Sequence, residues 1–530
     1  MEVNKRVSSW QAKGSSFVEC NLTYLTDIIR ARSMESIRRV VPLAKKGATM
    51  NAILETALSD EGNSFVPRRV IEYLGADVPC VSARIKQDPS DFIVEEQSTP
   101  SLRCNITTKS DLDSPYCESG SGEMIAVTLV KCRLTTEHAI KRMLDLLGKT
   151  PRQVRVSYAG LKDRWAITAQ RVVIEGDITF EEVLRNCMPD MEELTSSRGS
   201  GIFIKDPVRV RKHLGMGHLV GNNFTIKVYA PGQSSSALES YIAPRIKALS
   251  FANGNQQGSF LFPNAYGRQR LGRRQNLFGV GYEFIVNGAE AGIKRFLTEV
   301  SGNEKPQAQE ARRRIAQEWE AAEAKAKAEG STVARQVLHL QGMLEILEEP
   351  VGHHGAKFCE QFNMVWEHKI VSKLLETRDY ERTLRAHYTI FSLWTGAYQG
   401  FWFNQVLSKV LTGEVVLEGD CQDCERQIPL FMDNPKSAKF YGKYCPEALL
   451  PRMDPLVQEV FLSTLVDGKD RHTGKPKQYH RKPPRRPLFV SVQGFKSDCK
   501  DGVATLKFML RSGSYATTLL DILFDVEQPN

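Results

Sequence analysis

Ser157-Tyr158-Ala159-Gly160-Leu161-Lys162-Asp163-Arg164-Trp165-Ala166-Ile167-Thr168-Ala169-Gln170 is the stretch whose reading settles the fold. Upstream of it, Val154, Val156 and Tyr158 alternate with polar residues, the period-two pattern of a half-buried strand. Downstream, Arg171-Val172-Val173-Ile174 reads as the next strand. Between them lies a tight glycine-containing connection with one acid, Asp163, flanked by Lys162 and Arg164. A carboxylate on a loop at strand ends, with cations beside it, is placed where catalytic groups tend to sit. Spacing alone leaves a solvated acid on a charged turn equally open.

The stretch resembles the Gly-x-Lys-Asp-x-x-Ala-x-Thr-x-Gln signature of the TruD family of pseudouridine synthases, here Gly160, Lys162, Asp163, Ala166, Thr168 and Gln170. The resemblance implies that Asp163 is the catalytic residue. Other segments extend it in the family's order. Lys86-Gln87-Asp88-Pro89-Ser90-Asp91-Phe92-Ile93-Val94-Glu95 joins a proline turn to an alternating strand and resembles the opening motif, with Lys86 implied as the basic partner of Asp163. Read without the family, Lys86 is a lysine on an exposed turn. Asn264-Ala265-Tyr266-Gly267-Arg268-Gln269-Arg270-Leu271-Gly272 resembles a second signature, in which Tyr266 is implied as the ring against the target uracil and Asn264 as a polar contact. Gly267, Gln269 and Arg270 join Lys162 and Arg164 as candidate substrate-binding residues. An aromatic among Asn, Gly and Arg suits a flipped base, because the ring stacks and the cations meet phosphates. A core tyrosine beside a basic turn is the competing reading.

Two further resemblances are weaker in detail. Phe391 to Leu407 is apolar at helical spacing, reads as a buried helix, and resembles a segment of the family's inserted domain, with Gly400 where serine is usual. Gly513-Ser514-Tyr515-Ala516-Thr517 resembles the family's closing motif, although Arg511 replaces a proline and Asp521-Ile522 replaces Arg-Glu. Ser514 is the expected cap of the last helix.

The 530 residues are enough for roughly two to four domains. Lys+Arg number 71 against Asp+Glu 62, a formal charge of +9 that only weakly favours nucleic acid. The distribution says more. Arg209, Arg211 and Lys212, then Arg273 and Arg274, then Arg481, Lys482, Arg485 and Arg486 within the most basic run are candidate RNA contacts, each weighed against ordinary solvent-facing charge. The stretch from Ala289 to Gln341 is rich in Ala, Glu and Lys and reads as a solvent-exposed or bridging helix. The 11 cysteines have no regular spacing; Cys421-x-x-Cys424 lacks a second tight pair, so no metal site is expected. No apolar run reaches the ~18 residues of a membrane span, and the first 20 residues lack a secretory core.

The resemblance implies an α+β fold: a pseudouridine-synthase core with a mixed, largely antiparallel sheet, interrupted by an inserted TruD-type α+β domain. The expected organisation is an N-terminal extension over 1–69, the first part of the core over 70–275, the insert over 276–499 and closing core elements over 500–530. The implied activity is isomerisation of uridine to pseudouridine in a structured RNA, without cofactor or metal. A tRNA is the first expectation, with small nuclear, messenger and ribosomal RNA as alternatives. The runner-up is a catalytically silent RNA-binding or ribonucleoprotein assembly factor that retains the fold. A monomer in the cytoplasm or nucleus is expected, with the mitochondrion as the alternative compartment.

Overall fold

The computed structural model describes residues 81–527 apart from 108–121, 188–199, 216, 251–258, 273, 275, 303, 330–337, 352–354, 412–413, 418–426, 432–434 and 446–484. The N-terminal extension, the Cys421/Cys424 pair, Arg273, Arg481 and Lys482 lie outside the described residues.

Among the described residues, eleven strands form one mixed sheet. Its main path uses β2 (Phe92–Gln97), β3 (Met124–Cys132), β5 (Ile167–Gly176), β6 (Gly201–Val210), β7 (Gly221–Tyr229), β8 (Phe260–Pro263), β13 (Phe489–Lys500) and β14 (Val503–Arg511), in the order β6-β3-β5-β2-β7-β14-β13-β8. β4 (Val154–Tyr158) pairs with β5, and β1 (Ser82–Ile85) joins β7 to the final β15 (Asp525–Val526). Among the described residues, only the β2–β5 and β1–β15 pairs are parallel. Two small antiparallel pairs, β9 (Pro350–Val351) with β10 (Ala356–Lys357) and β11 (Gln427–Pro429) with β12 (Arg485–Pro487), stand apart from it.

The parallel β2–β5 pair positions the site. Ile93 lies opposite Ile167, so the turn before β2 and the loop before β5 emerge at one end of the sheet. Those connections carry Lys86 and Asp163. The alternation expected for Val154 to Tyr158 forms β4, and Arg171 to Ile174 falls within β5. β3 is buried along its whole length, as a strand covered on both faces must be.

The chain returns to the sheet at Phe489, inside the stretch the sequence assigns to the insert, because β13 pairs with both β14 and β8. The charged helix Pro306–Glu329 is also less exposed than its composition suggests. Ala308, Ala311, Arg312, Ile315 and Trp319 recur at helical spacing and are buried. Arg312 there pairs with Glu367 at 2.6 Å and Glu304 at 2.8 Å. The helix Tyr388–Leu411 is buried on most sides, with Trp394, Tyr398 and Trp402 almost wholly enclosed. No helix among the described residues is long and apolar enough to cross a membrane.

Candidate active site

A cleft of ≈ 340 Å³ opens on one face of the sheet. Phe92, Val94, Asn222 and Phe224 of β2 and β7 line it, together with the β4–β5 loop from Ala159 to Asp163 and the segment Ser512 to Thr517 after β14. The carboxylate of Asp163 is partly exposed in this cleft, and Lys86 Nζ lies 3.1 Å from its Oδ1. Lys86 also sits over the Phe92 ring, 4.0 Å from its centre. Its backbone adopts φ 57°, a left-handed conformation that a non-glycine residue holds only when its surroundings over-determine it. Trp165 Nε1 donates to the Lys86 carbonyl at 2.9 Å, and Asp88 caps the adjoining Pro89–Asp91 turn through a capping box.

The conformation of the Asp163 loop is fixed from behind. Lys162 N–H donates to Thr136 Oγ1 at 2.9 Å, and Gln170 Nε2 donates to the Gly160 carbonyl at 3.2 Å. This gives the glutamine of the signature a structural reason. Thr135 caps the helix Thr136–Leu146, which frees Thr136 for the loop. Lys131, fully buried at the end of β3, donates to the carbonyl of Asp163 at 2.6 Å and of Leu134 at 2.8 Å. Burial pushes the Lys131 ammonium down to about 8, against the pull of the nearby Asp163.

This lysine escaped the sequence reading, although a charged residue inside the apolar run Met124–Cys132 is a readable signal. Lys131→Met is expected to lower kcat by roughly 10- to 100-fold with KM little changed, as steady-state kinetics would read, because Asp163 loses the backbone anchor that holds its carboxylate in the cleft. Wild-type activity is expected to fall as pH rises through about 8, and the variant to lose that limb. Stability should move the other way. Between about 8 and the ordinary lysine value the unfolded chain binds more protons, so stability rises with pH.

The remaining expected site residues divide by burial. Lys162 is buried, ion-paired with Glu96 at 2.7 Å and donating to Asn222 Oδ1 at 2.9 Å, so it braces the cleft floor and its charge is already matched. Arg164 is exposed beside Asp163. Asn264 is buried: its amide donates to the Pro487 carbonyl at 3.0 Å and its side-chain oxygen accepts from Arg486 at 2.7 Å. It therefore supports the aromatic segment and offers no polar group to the cleft. Tyr266 is 7% exposed, held through its backbone by reciprocal bonds to the Asn404 side chain at 2.8 and 2.9 Å. Its ring lies 6.1 Å from that of Tyr515, which lines the cleft itself. Tyr515 is the aromatic the sequence reading left without a role, though it stands in a recognised motif. The Tyr515 hydroxyl is shifted up, chiefly by burial. Tyr515, without a side-chain cap bond, occupies the N-cap of the last helix, Ala516–Leu523. Ser514 precedes it, and its hydroxyl has no hydrogen bond among the described residues, which corrects the expected Ser514 cap.

Gly267 is the N-cap of the four-residue helix Arg268–Leu271, which carries Gln269 and Arg270. Arg270 Nε donates to the Gly396 carbonyl at 2.9 Å, and its guanidinium lies 5.6 Å from the Tyr266 ring centre. A Cβ on Gly396 would stand 2.3 Å from that guanidinium. Gly396→Ala is expected to cost about 1–2 kcal/mol in a denaturant titration and to shift Arg270 off the tyrosine.

Two candidate RNA contacts are internal. Arg274 is buried, donating to the carbonyls of Phe296 and Glu299 within the Glu304/Glu367 cluster, and burial pushes it down to about 10. Arg486 is buried on Asn264 and Gly513 and lies over the Tyr266 ring at 4.0 Å. Neither guanidinium is at the surface to meet a phosphate. Arg485 is exposed and donates to the Gln427 carbonyl. Arg209, Arg211 and Lys212 lie at the opposite end of the sheet from Asp163: Arg209 pairs with Ile125, which pairs with Ile174, seven residues along β5 from its start. That is roughly 23 Å at strand rise.

Residues 70–349 match the family model described as tRNA pseudouridine synthase D (TruD). The probable tRNA pseudouridine synthase D 1 of Methanocaldococcus jannaschii is 23% identical over 440 residues, covering 82% of this chain and 94% of the relative. The tRNA pseudouridine synthase D of Legionella pneumophila is 32% identical over 211 residues, 40% of this chain and 50% of the relative. A crystal structure of the putative tRNA pseudouridine synthase D of Methanosarcina mazei superposes with a TM-score of 0.50 at 18% identity, covering 87% of this chain and 98% of that one, and shows the shared fold. With the model matching more than half of the sequence, the chain belongs to the TruD family of pseudouridine synthases.

Proposed function

We propose that this enzyme isomerises uridine to pseudouridine in a tRNA, with Asp163 as the residue that acts on the sugar. The observation that carries this reading is the Lys86–Asp163 pair at 3.1 Å, at the mouth of a cleft with an aromatic wall. The reaction requires the N1–C1′ glycosidic bond to break, the uracil to turn, and C5 to bond to C1′. The C5 proton is then lost and N1 regains one, so atoms balance within one nucleotide and no oxidant is needed. The glycosidic bond is out of reach inside a helix, so the uridine must leave its stack. The cleft is of a size to take one nucleotide. Asp163 then either attacks C1′ or removes the neighbouring sugar proton. Tyr515 supplies ring surface for the detached base, with Tyr266 packed behind it.

The relatives' names support tRNA as the substrate, and none of the comparisons favours the silent scaffold. The test is pseudouridine mapping of cellular RNA with and without the wild-type protein. Sites that vanish on loss and return with the wild type name the substrate. An unchanged map, with the protein still crosslinked to a defined RNA, would establish the scaffold instead.

A further inference from the structure

The Asp163 loop exposes two large apolar side chains, Leu161 at 60% and Trp165 at 42% of their surface. Leu161 lines the cleft. Trp165 lies outside it, and the chemistry above gives it no task. An exposed tryptophan two residues from the reacting carboxylate forfeits the burial that ordinarily stabilises so large a ring.

It is nevertheless not loose. Its Nε1–H donates to the Lys86 carbonyl at 2.9 Å, and the Arg133 guanidinium lies over the ring, 4.7 Å from its centre. Arg133 is in turn held by Asp88 at 3.5 Å. One face of the indole is thus covered by a braced cation, its orientation is fixed by a hydrogen bond, and the remaining surface meets solvent. A ring ordered in advance loses little entropy on binding. A cation against one face leaves the other suited to a nucleobase, and base stacking on an aromatic needs no particular base. Lys86 and Arg133 are already paired with Asp163 and Asp88, so the cation the surroundings offer to a phosphate is the exposed Arg164 next to the ring.

We propose that Trp165 is a stacking platform for the base of a nucleotide immediately flanking the target uridine. Two residues of chain span at most ~7 Å, so the platform serves a neighbour of the reacting nucleotide and not a distant part of the RNA. By holding that neighbour unstacked from the uridine, the ring lowers the cost of extruding it. The inference rests on the proposed pseudouridine synthesis.

The test uses a tRNA transcript that the wild-type protein converts, prepared intact and with an abasic nucleotide directly 5′ or 3′ of the target. Trp165→Ala is expected to raise KM about tenfold on the intact RNA, and Trp165→Phe to restore most of the loss without the Nε1 bond. On one of the two abasic RNAs, wild type and Trp165→Ala should become equal, since the base that stacks is gone. A penalty that persists on both abasic RNAs, or a fall in kcat with KM unchanged, would overturn the platform and make Trp165 a brace for Lys86. No penalty on intact RNA would also overturn it, while leaving pseudouridine synthesis standing. If no tRNA transcript is converted by the wild type, the proposed function falls first and the platform with it, a result distinct from each of those above.

Discussion

Asp163→Asn is expected to reduce pseudouridine formation by roughly 10⁴-fold or more while RNA binding stays within about threefold of wild type. The amide is isosteric with the carboxylate and still accepts from Lys86 Nζ, which stands 3.1 Å from Oδ1. Lys131 holds the residue through its backbone carbonyl, so the loop keeps its anchor. What the substitution removes is the charge and basicity needed either to attack C1′ or to take a sugar proton. Single-turnover conversion read by pseudouridine mapping, beside a filter-binding titration of the same RNA, separates the two effects. Retained turnover would remove Asp163 from the chemistry; lost binding would make it a recognition residue.

Arg486→Ala is expected to have the second-largest effect, destabilising the protein by roughly 3 kcal/mol and lowering kcat more than tenfold. The guanidinium donates to the Asn264 carbonyl at 3.0 and 2.9 Å, to Asn264 Oδ1 at 2.7 Å and to the Gly513 carbonyl at 2.7 Å. It also lies 4.0 Å from the Tyr266 ring centre and 5.5 Å from that of Tyr515. Truncation leaves these acceptors in a site that water reaches poorly, and releases the two rings from the cation that spaces them. Arg486→Lys should recover only part of the loss, because one ammonium cannot reproduce the planar fork. Denaturant midpoints would read the stability change. An alanine variant with wild-type stability but weakened, salt-sensitive RNA binding would show instead that Arg486 meets phosphate.

The contrast between Arg164 and Arg486 shows how far the sequence could be read. Arg164 stands beside a recognised motif as a candidate substrate contact, and Arg486 ends the most basic run as a candidate RNA contact. Arg164 is exposed, whereas Arg486 is buried on partners 222 residues earlier and 27 residues later in the chain. The same holds for Lys131 and Lys162, whose Asp163, Thr136 and Glu96 contacts bridge separate elements. Composition carries no trace of such partners.

The sequence by itself determined the strand and turn pattern around Asp163 and, through spaced motifs in a fixed order, the family. The α+β class and the pairing of Lys86 with Asp163 came only as what that resemblance implies, since local signals alone leave Lys86 on an exposed turn. Only the tertiary structure decided which cations face solvent, that Tyr515 lines the cleft with Tyr266 packed beside it, and that the chain rejoins the sheet at Phe489. Periodicity reports which face of an element is apolar, but whether a charged or aromatic side chain is buried depends on what distant segments bring against it.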